Sequence, residues 1–232
     1  MQITPKNLRK VIVFEQATDD DLTLILQNSI TRSMEEGGYF FFQEDEARYF
    51  YILTSGQVKL MQSTPQGQQV NLRTIYPWQM FGALGVVRTE AKYPASAQTL
   101  EDSIALAIET QFLASMMMTR PYLSMGLMDL MTMYIREMQE RYTELSTERV
   151  EQRVANALLR LAAQSGTKSG TDAWIELTFS RQDVAEMTAT TLYTVSRLLS
   201  DWERKGIIAT GRERIRILIP HGLVQIADGL KK

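Results

Sequence analysis

The stretch ATTLYTVSRLLSDWERKGII, residues 189–208, sets a polar constellation against an apolar stripe. Val195, Leu198, Leu199 and Trp202 recur at helical spacing on one side. Leu192, Tyr193, Ser196 and Arg197, at i, i+1, i+4 and i+5, share the opposite face. The chemistry open to that face is recognition by hydrogen bonding. A guanidinium is a planar fork of donors, a serine hydroxyl both donates and accepts, and a phenol joins an apolar ring to a polar tip. A second reading stays open on spacing alone, in which Arg197 pairs with Asp201 at i+4 on a solvated helix.

Other reactive types are sparse or poorly arranged. Cysteine is absent, which removes disulfides, thiolate zinc sites, cysteine-held clusters and cysteine nucleophiles together. The single histidine is His221. Asp19, Asp20 and Asp21 sit where a helix dipole favours carboxylates, and nothing near them completes a metal-ligand set. Met116, Met117 and Met118 are consecutive, and the chain holds 13 methionines. Thioether copper binding is one use of such a run, and filling irregular core and interface space is the commoner one. The loop QSGTKSGTDA lacks the Gly-to-Gly-Lys-Ser spacing of a phosphate-binding loop and follows no strand. No serine–histidine arrangement or metal-ligand spacing supports an enzyme, and no cofactor is implied.

The elements that would position the polar face are legible around it. Ser180 is an N-cap, with Asp183 closing a capping box, for a short helix over 181–187. The residues TAT form a turn, and Thr191 caps a second helix running to about Lys205 and ending at Gly206. Two helices joined this way form a helix-turn-helix, whose second helix offers its N-terminal turns to the major groove. Beyond it, IIATGRERIRILI reads as a hairpin turning at Gly211, with Arg212 and Arg214 near its tip, so the unit is a winged helix. Upstream, Val150, Val154, Leu158 and Leu161 predict an amphipathic helix, and WIELTF a strand.

The N-terminal part has a different texture. A short helix is expected over 20–29. From Arg32 to about Ala107, YFFFQ, RYFYILTSGQVKLMQ, QQVNLRTI and SIALAIE are strand-like, divided by turns such as EEGG and TPQGQQ, which suggests a small antiparallel barrel or roll. A long helix follows from about Pro121 to Leu145. Along it Met128, Met131, Ile135, Met138, Tyr142 and Leu145 alternate spacings of 3 and 4, the seam of a helix that pairs with a second copy.

The 232 residues allow one large domain or two ordinary ones, and 44% hydrophobic with 22% charged is ordinary globular composition. Residues 146–232 carry 13 basic against 10 acidic side chains, and residues 1–145 carry 12 against 17. A mildly basic C-terminal third is compatible with a nucleic-acid module. The most extended uncharged run, 74–87, is 14 residues with Pro77, Gly82 and Gly85 inside it, too short to span a bilayer. The N-terminus lacks the apolar core of a secretory signal, and the expectation is a cytoplasmic protein with no membrane partner.

TTLYTVSRLLSDWERKGII closely resembles the recognition helix of the cyclic-AMP receptor protein/fumarate–nitrate regulator (Crp/Fnr) family of bacterial transcription factors. FFQEDEARYFYILTSGQVKL is similar to that family's sensor roll, and MFGALGVVRTEAKYPASAQTLEDS to its phosphate-binding cassette and the strand after it. The resemblance covers nearly the whole chain. It implies an α+β protein: a β-roll of the cyclic-nucleotide-binding kind over 1–119, a dimerisation helix over 120–145 and a winged helix-turn-helix over 146–232. It implies a homodimeric regulator, an activator more than a repressor, that binds palindromic double-stranded DNA and recruits RNA polymerase. Arg197 would read guanine, with Leu192, Tyr193 and Ser196 on neighbouring bases, while Arg181, Gln182, Thr191, Arg212 and Arg214 would meet phosphates. The same roll also regulates enzymes and channels without touching DNA, and the winged domain argues against that alternative.

Departures from the family pattern fall in the effector cassette, expected over Gly82, Ala83, Leu84, Tyr93, Pro94, Ala95 and Ser96. Cyclic-AMP-binding members carry Gly-Glu and, ten residues later, Arg-Ser. Here Ala83 replaces the glutamate, and Tyr93 and Pro94 replace the pair. Cyclic AMP is therefore not the expected effector. An unidentified small molecule, a haem held by methionine or the N-terminus, or no effector at all remain. Tyr193 stands where glutamate is common, and Ala189 where the turn commonly has glycine.

Overall fold

A computed structural model describes residues 3–63, 69–88, 90–165, 167–168, 175–177, 179–211 and 214–229. They form two compact units, Met1–Met138 and Gln139–Lys232. The first opens with α1 (Pro5–Leu8), a 3-10 turn (Ile12–Phe14) and α2 (Asp19–Gln27). Strands β1 (Ser29–Met34), β2 (Tyr39–Phe41), β3 (Tyr49–Ser55), β4 (Val58–Ser63), β5 (Gln69–Ile75) and β6 (Met80–Phe81) follow. Then come α3 (Leu84–Val87), β7 (Ser96–Thr99), β8 (Ser103–Glu109), α4 (Thr110–Thr119) and α5 (Pro121–Thr147), which ends in the second unit.

Two antiparallel four-stranded sheets, ordered β1-β8-β3-β6 and β2-β7-β4-β5, make the roll. Strand β3 explains why YFYILTS reads as an unbroken apolar run: both its faces are buried. Phe50 and Ile52 pack with Leu8, Phe14, Leu22, Leu113 and Leu127 in a core between sheet and helices. Tyr51 and Leu53 face the roll interior with Phe41, Val58, Phe81 and Ala97. Each such side chain, fully buried, contributes about 1.5–3 kcal/mol.

Helix α2 begins one residue earlier and ends two earlier than the sequence predicts, because Thr18 caps it by accepting from the Asp21 amide and Ser29 already pairs with Ile108 in β1. The acidic triplet does more than complement a dipole. Asp19 pairs with Arg9 at 2.6 Å, and buried Asp21 accepts from Arg120 and Tyr122 at the α4–α5 junction. Burial alone would raise the Asp21 pKa, but the hydrogen bonds from Tyr122, Thr18 and Arg120 outweigh it and hold the carboxyl below its ordinary value. Met116 is buried in the core, Met117 packs against it, and Met118 is exposed.

Leu123, Gly126, Leu127 and Leu130 are the buried face of α5. A Cβ at Gly126 would stand 2.7 Å from the Val13 carbonyl oxygen, so the helix can lie against that backbone only with glycine there. The seam residues point elsewhere: Met128, Met131, Ile135, Met138, Tyr142 and Leu145 are all exposed, Tyr142 by 73%.

The second unit continues with α6 (Val150–Ser165), β9 (Thr167–Lys168), β10 (Ile175–Leu177), α7 (Arg181–Met187), α8 (Leu192–Arg204), β11 (Ile208–Gly211), β12 (Arg214–Ile217) and α9 (Pro220–Ala227). Its sheet, ordered β11-β12-β10-β9, is antiparallel. Val154, Leu158, Val184, Val195, Leu199, Trp202 and Leu223 are buried there.

Candidate nucleic-acid interface

The helix-turn-helix is built by two caps and a strained turn. Ser180 accepts from the Asp183 amide while the Asp183 carboxylate accepts from the Ser180 amide at 3.0 Å, the reciprocal box that starts α7. Thr191 accepts from the Thr194 amide and starts α8. Between them Ala189 adopts φ +48°, a left-handed conformation costly to any residue with a Cβ. The chain accepts that cost because Val184 in α7 and Val195, Leu199 and Trp202 in α8 are buried, and they fix the two helices together.

With that stripe inward, the polar face of α8 is outward. Tyr193 is 78% exposed, Leu192 and Arg197 are exposed and Ser196 is half-buried. Asp201, the alternative partner for Arg197, pairs with Arg204 instead. Among the described residues Arg197 has no hydrogen-bond or ion-pair partner. Tyr193, Ser196 and Arg197 suit hydrogen-bond readout of base edges, and Leu192 an apolar contact such as a thymine methyl.

The flanking cations are organised differently. A cleft of about 280 Å³ brings together Ser180, Arg181, Gln182, Leu192, Thr210 and Arg214 from the starts of α7 and α8 and from the wing. Within it Arg181 donates to Thr210 Oγ1 at 3.1 Å, and Gln182 donates to Glu186 at 2.9 Å. Arg214 is paired with Glu176 of β10 at 3.0 Å. Arg212 lies outside the described residues. Three groups that sequence reasoning did not single out shape this edge: Glu203, Thr210 and Glu176. Glu203 accepts from the Thr210 amide and hydroxyl, tying the end of α8 to the wing, and Glu176 pairs with Arg214 and Arg216. Alternation in GRERIRILI, with an acid in the neighbouring strand, was the available signal for Glu176.

In the roll, the expected effector residues lie in different surroundings. Tyr93 is buried and stacks on Phe41 with ring centres 3.7 Å apart, and its hydroxyl donates to the Tyr49 carbonyl. Phe40, Tyr51 and Phe81 complete the aromatic cluster. Burial and the neighbouring Tyr51 push the Tyr93 pKa above the ordinary phenol value, so it stays neutral. Gly82, at φ +72°, has the Phe41 and Tyr93 rings 3.1 Å from where a Cβ would stand. Ala95 is buried, Leu84 and Pro94 are exposed, and half-buried Ser96 accepts from the Gln43 amide at 2.9 Å. A cleft of about 400 Å³ in this unit, lined by residues such as Glu46, Arg48, Arg88 and Glu109, includes none of the seven expected effector residues.

The roll, the long helix and the winged unit with its exposed polar helix face are the parts of a DNA-binding transcription regulator. Residues 152–226 match the Crp-like helix-turn-helix domain, and residues 31–120 match the cyclic nucleotide-binding domain. The anaerobic regulatory protein of Bacillus subtilis is 27% identical over 190 residues, covering 82% of this chain and 80% of that protein. The cyclic AMP receptor protein of Thermus thermophilus is 27% identical over 218 residues, 94% of this chain and 97% of the relative. The crystal structure of a CRP-family transcriptional regulator of Thermus thermophilus superposes with a TM-score of 0.72 at 24% identity, covering 85% of this chain and 96% of that one. The chain belongs to the Crp/Fnr family of transcription regulators. Among the described residues no helix is long and apolar enough to cross a membrane.

Proposed function

We propose that the protein is a homodimeric, palindrome-binding transcription activator whose α8 reads bases and whose roll does not use cyclic AMP. The observation that carries the reading is Arg197, without a partner among the described residues, beside exposed Tyr193 on the outward face of α8. Arg197 reads a guanine through O6 and N7, while Tyr193, Ser196 and Leu192 meet neighbouring bases. Arg181, Gln182, Thr191, Arg212 and Arg214 position the duplex through phosphates, and recruitment of RNA polymerase follows binding. Dimerisation is supported by the exposed seam of α5, a stripe from Met128 to Leu145 that a second copy would cover. Two copies related by a two-fold axis then present two reading helices to a two-fold symmetric site.

Against cyclic AMP stand Ala83, which supplies no carboxylate for the ribose, and Tyr93, whose ring fills the roll interior. A cyclic phosphate there would be buried without a counter-charge, which is costly. A different small molecule, or none, is left as the signal.

The reading is tested by Arg197→Ala. Loss of a bidentate arginine–guanine contact costs about 1–3 kcal/mol per half-site and relaxes specificity at that base pair. Anisotropy titrations should therefore show specific binding weakened far more than non-specific binding. Equal loss on both kinds of DNA would overturn the assignment of Arg197 as a base reader.

A further inference from the structure

We propose that Glu176 is an internal phosphate mimic: its carboxylate takes one donor from each of Arg214 and Arg216 on β12 and thereby lowers the affinity of the winged unit for DNA backbone. The inference deepens the reading that the wing meets phosphates and rests on it.

The placement follows from strand register. Glu176 of β10 lies directly opposite Arg216 of β12, and Arg214, two residues earlier, stands on the same face. One carboxylate oxygen takes each arginine, Oε1 from Arg214 Nη1 at 3.0 Å and Oε2 from Arg216 Nε at 2.9 Å. Glu203, a second acid at this edge among the described residues, is engaged by Thr210. Both guanidiniums remain reachable, with side chains 61% and 49% exposed.

Carboxylate and phosphate oxygens both accept from guanidinium N–H groups, so an internal carboxylate and an external phosphate compete for the same donors. Exposed ion pairs are weak, and a polyanion can displace this one. The effect is graded: Glu176 sets how tightly the wing holds backbone and leaves the bases read by α8 unchanged. A cross-strand pair that merely stabilised the sheet would have no such effect on DNA affinity.

The test uses full-length wild type, Glu176→Gln, Arg214→Ala/Arg216→Ala and the triple variant, titrated on random-sequence and operator duplexes from about 50 to about 300 mM KCl, a range over which phosphate contacts change affinity strongly. Glutamine keeps the shape and can still accept from arginine, and Glu176→Thr, suited to a strand, serves as a second neutral substitution. Both neutral variants should tighten binding to the two duplexes alike, by about two- to fivefold per subunit. The salt slope should steepen by up to about 1 per subunit. In the background lacking both arginines the substitution should have no effect, because the coupled partners are gone. Affinity at or below wild type for both neutral variants overturns the proposal. If removing Arg214 and Arg216 leaves affinity unchanged, the reading that these two arginines meet phosphate fails; if that weakens binding while the neutral variants match wild type, only the mimic fails.

Discussion

Replacing Ala189 by glycine should stabilise the helix-turn-helix, although it removes a side-chain methyl. Ala189 sits at φ +48° in the turn between α7 and α8, and its side chain is exposed, so no packing is lost. The turn hydrogen bond beside it, from the Thr190 amide to the Ala185 carbonyl at 3.1 Å, involves only backbone and survives the change. A residue with a Cβ pays about 1–2 kcal/mol in the left-handed region. Glycine gives back about 0.5–1 kcal/mol through the greater freedom of the unfolded chain. The net gain is about 0.5–1 kcal/mol. For a unit of this size that raises the melting temperature by about 2–6 °C. Gly206 supplies the converse: it lies at φ +69° past the end of α8, with nothing within 4 Å of an added Cβ. Gly206→Ala should therefore destabilise by a similar amount through conformation alone. Calorimetry of the full chain, with the buried Trp202 as a fluorescence reporter, measures both. A lowered melting temperature for Ala189→Gly would refute the strain argument.

Ile135→Asp combined with Met138→Asp should give monomers by light scattering and abolish specific DNA binding, because one half-site contact is too weak alone; a variant that stays dimeric shows the seam to be misassigned. Titration calorimetry with cyclic AMP up to millimolar concentration should give no binding heat, since Tyr93 fills the roll and Ala83 offers no ribose acceptor. A micromolar dissociation constant would contradict that account of the cassette.

What was legible in the sequence was whatever local rules decide. The caps at Ser180 and Thr191, the apolar stripe of α8 and the two wing strands follow from spacing and capping chemistry, and the structure has them there. Gly211, expected at the turn, is instead the last residue of β11, paired with Arg214, and the turn lies outside the described residues. The departure of Ala189 from glycine was visible in the sequence, but its positive φ is a tertiary fact. Strand β1 was partly missed because SITRSM exposes most of its residues and carries no apolar alternation. Helix α9 was missed because PHGLVQIA is short, opens on proline and contains glycine, yet Leu223 buries it against the unit. The engagement of Arg214 was hidden for another reason: its partner Glu176 is 38 residues away and meets it only once the strands are in register. Likewise the sequence marked Tyr93 as a departure from the family pattern, while its stacking on Phe41 depends on how the two sheets close.

The central claim is that α8 reads bases, and selection of random double-stranded DNA by wild type and Tyr193→Glu, side by side, tests it most directly. Wild type should enrich a two-fold palindrome whose half-sites contain the guanine read by Arg197. Glutamate accepts from cytosine N4, whereas the tyrosine ring packs on a thymine methyl, so Tyr193→Glu should change the base pairs facing that residue and keep the guanine. Identical motifs from both proteins would show that Tyr193 does not read bases. Failure of wild type to enrich any motif would contradict the assignment of α8 as the reading helix.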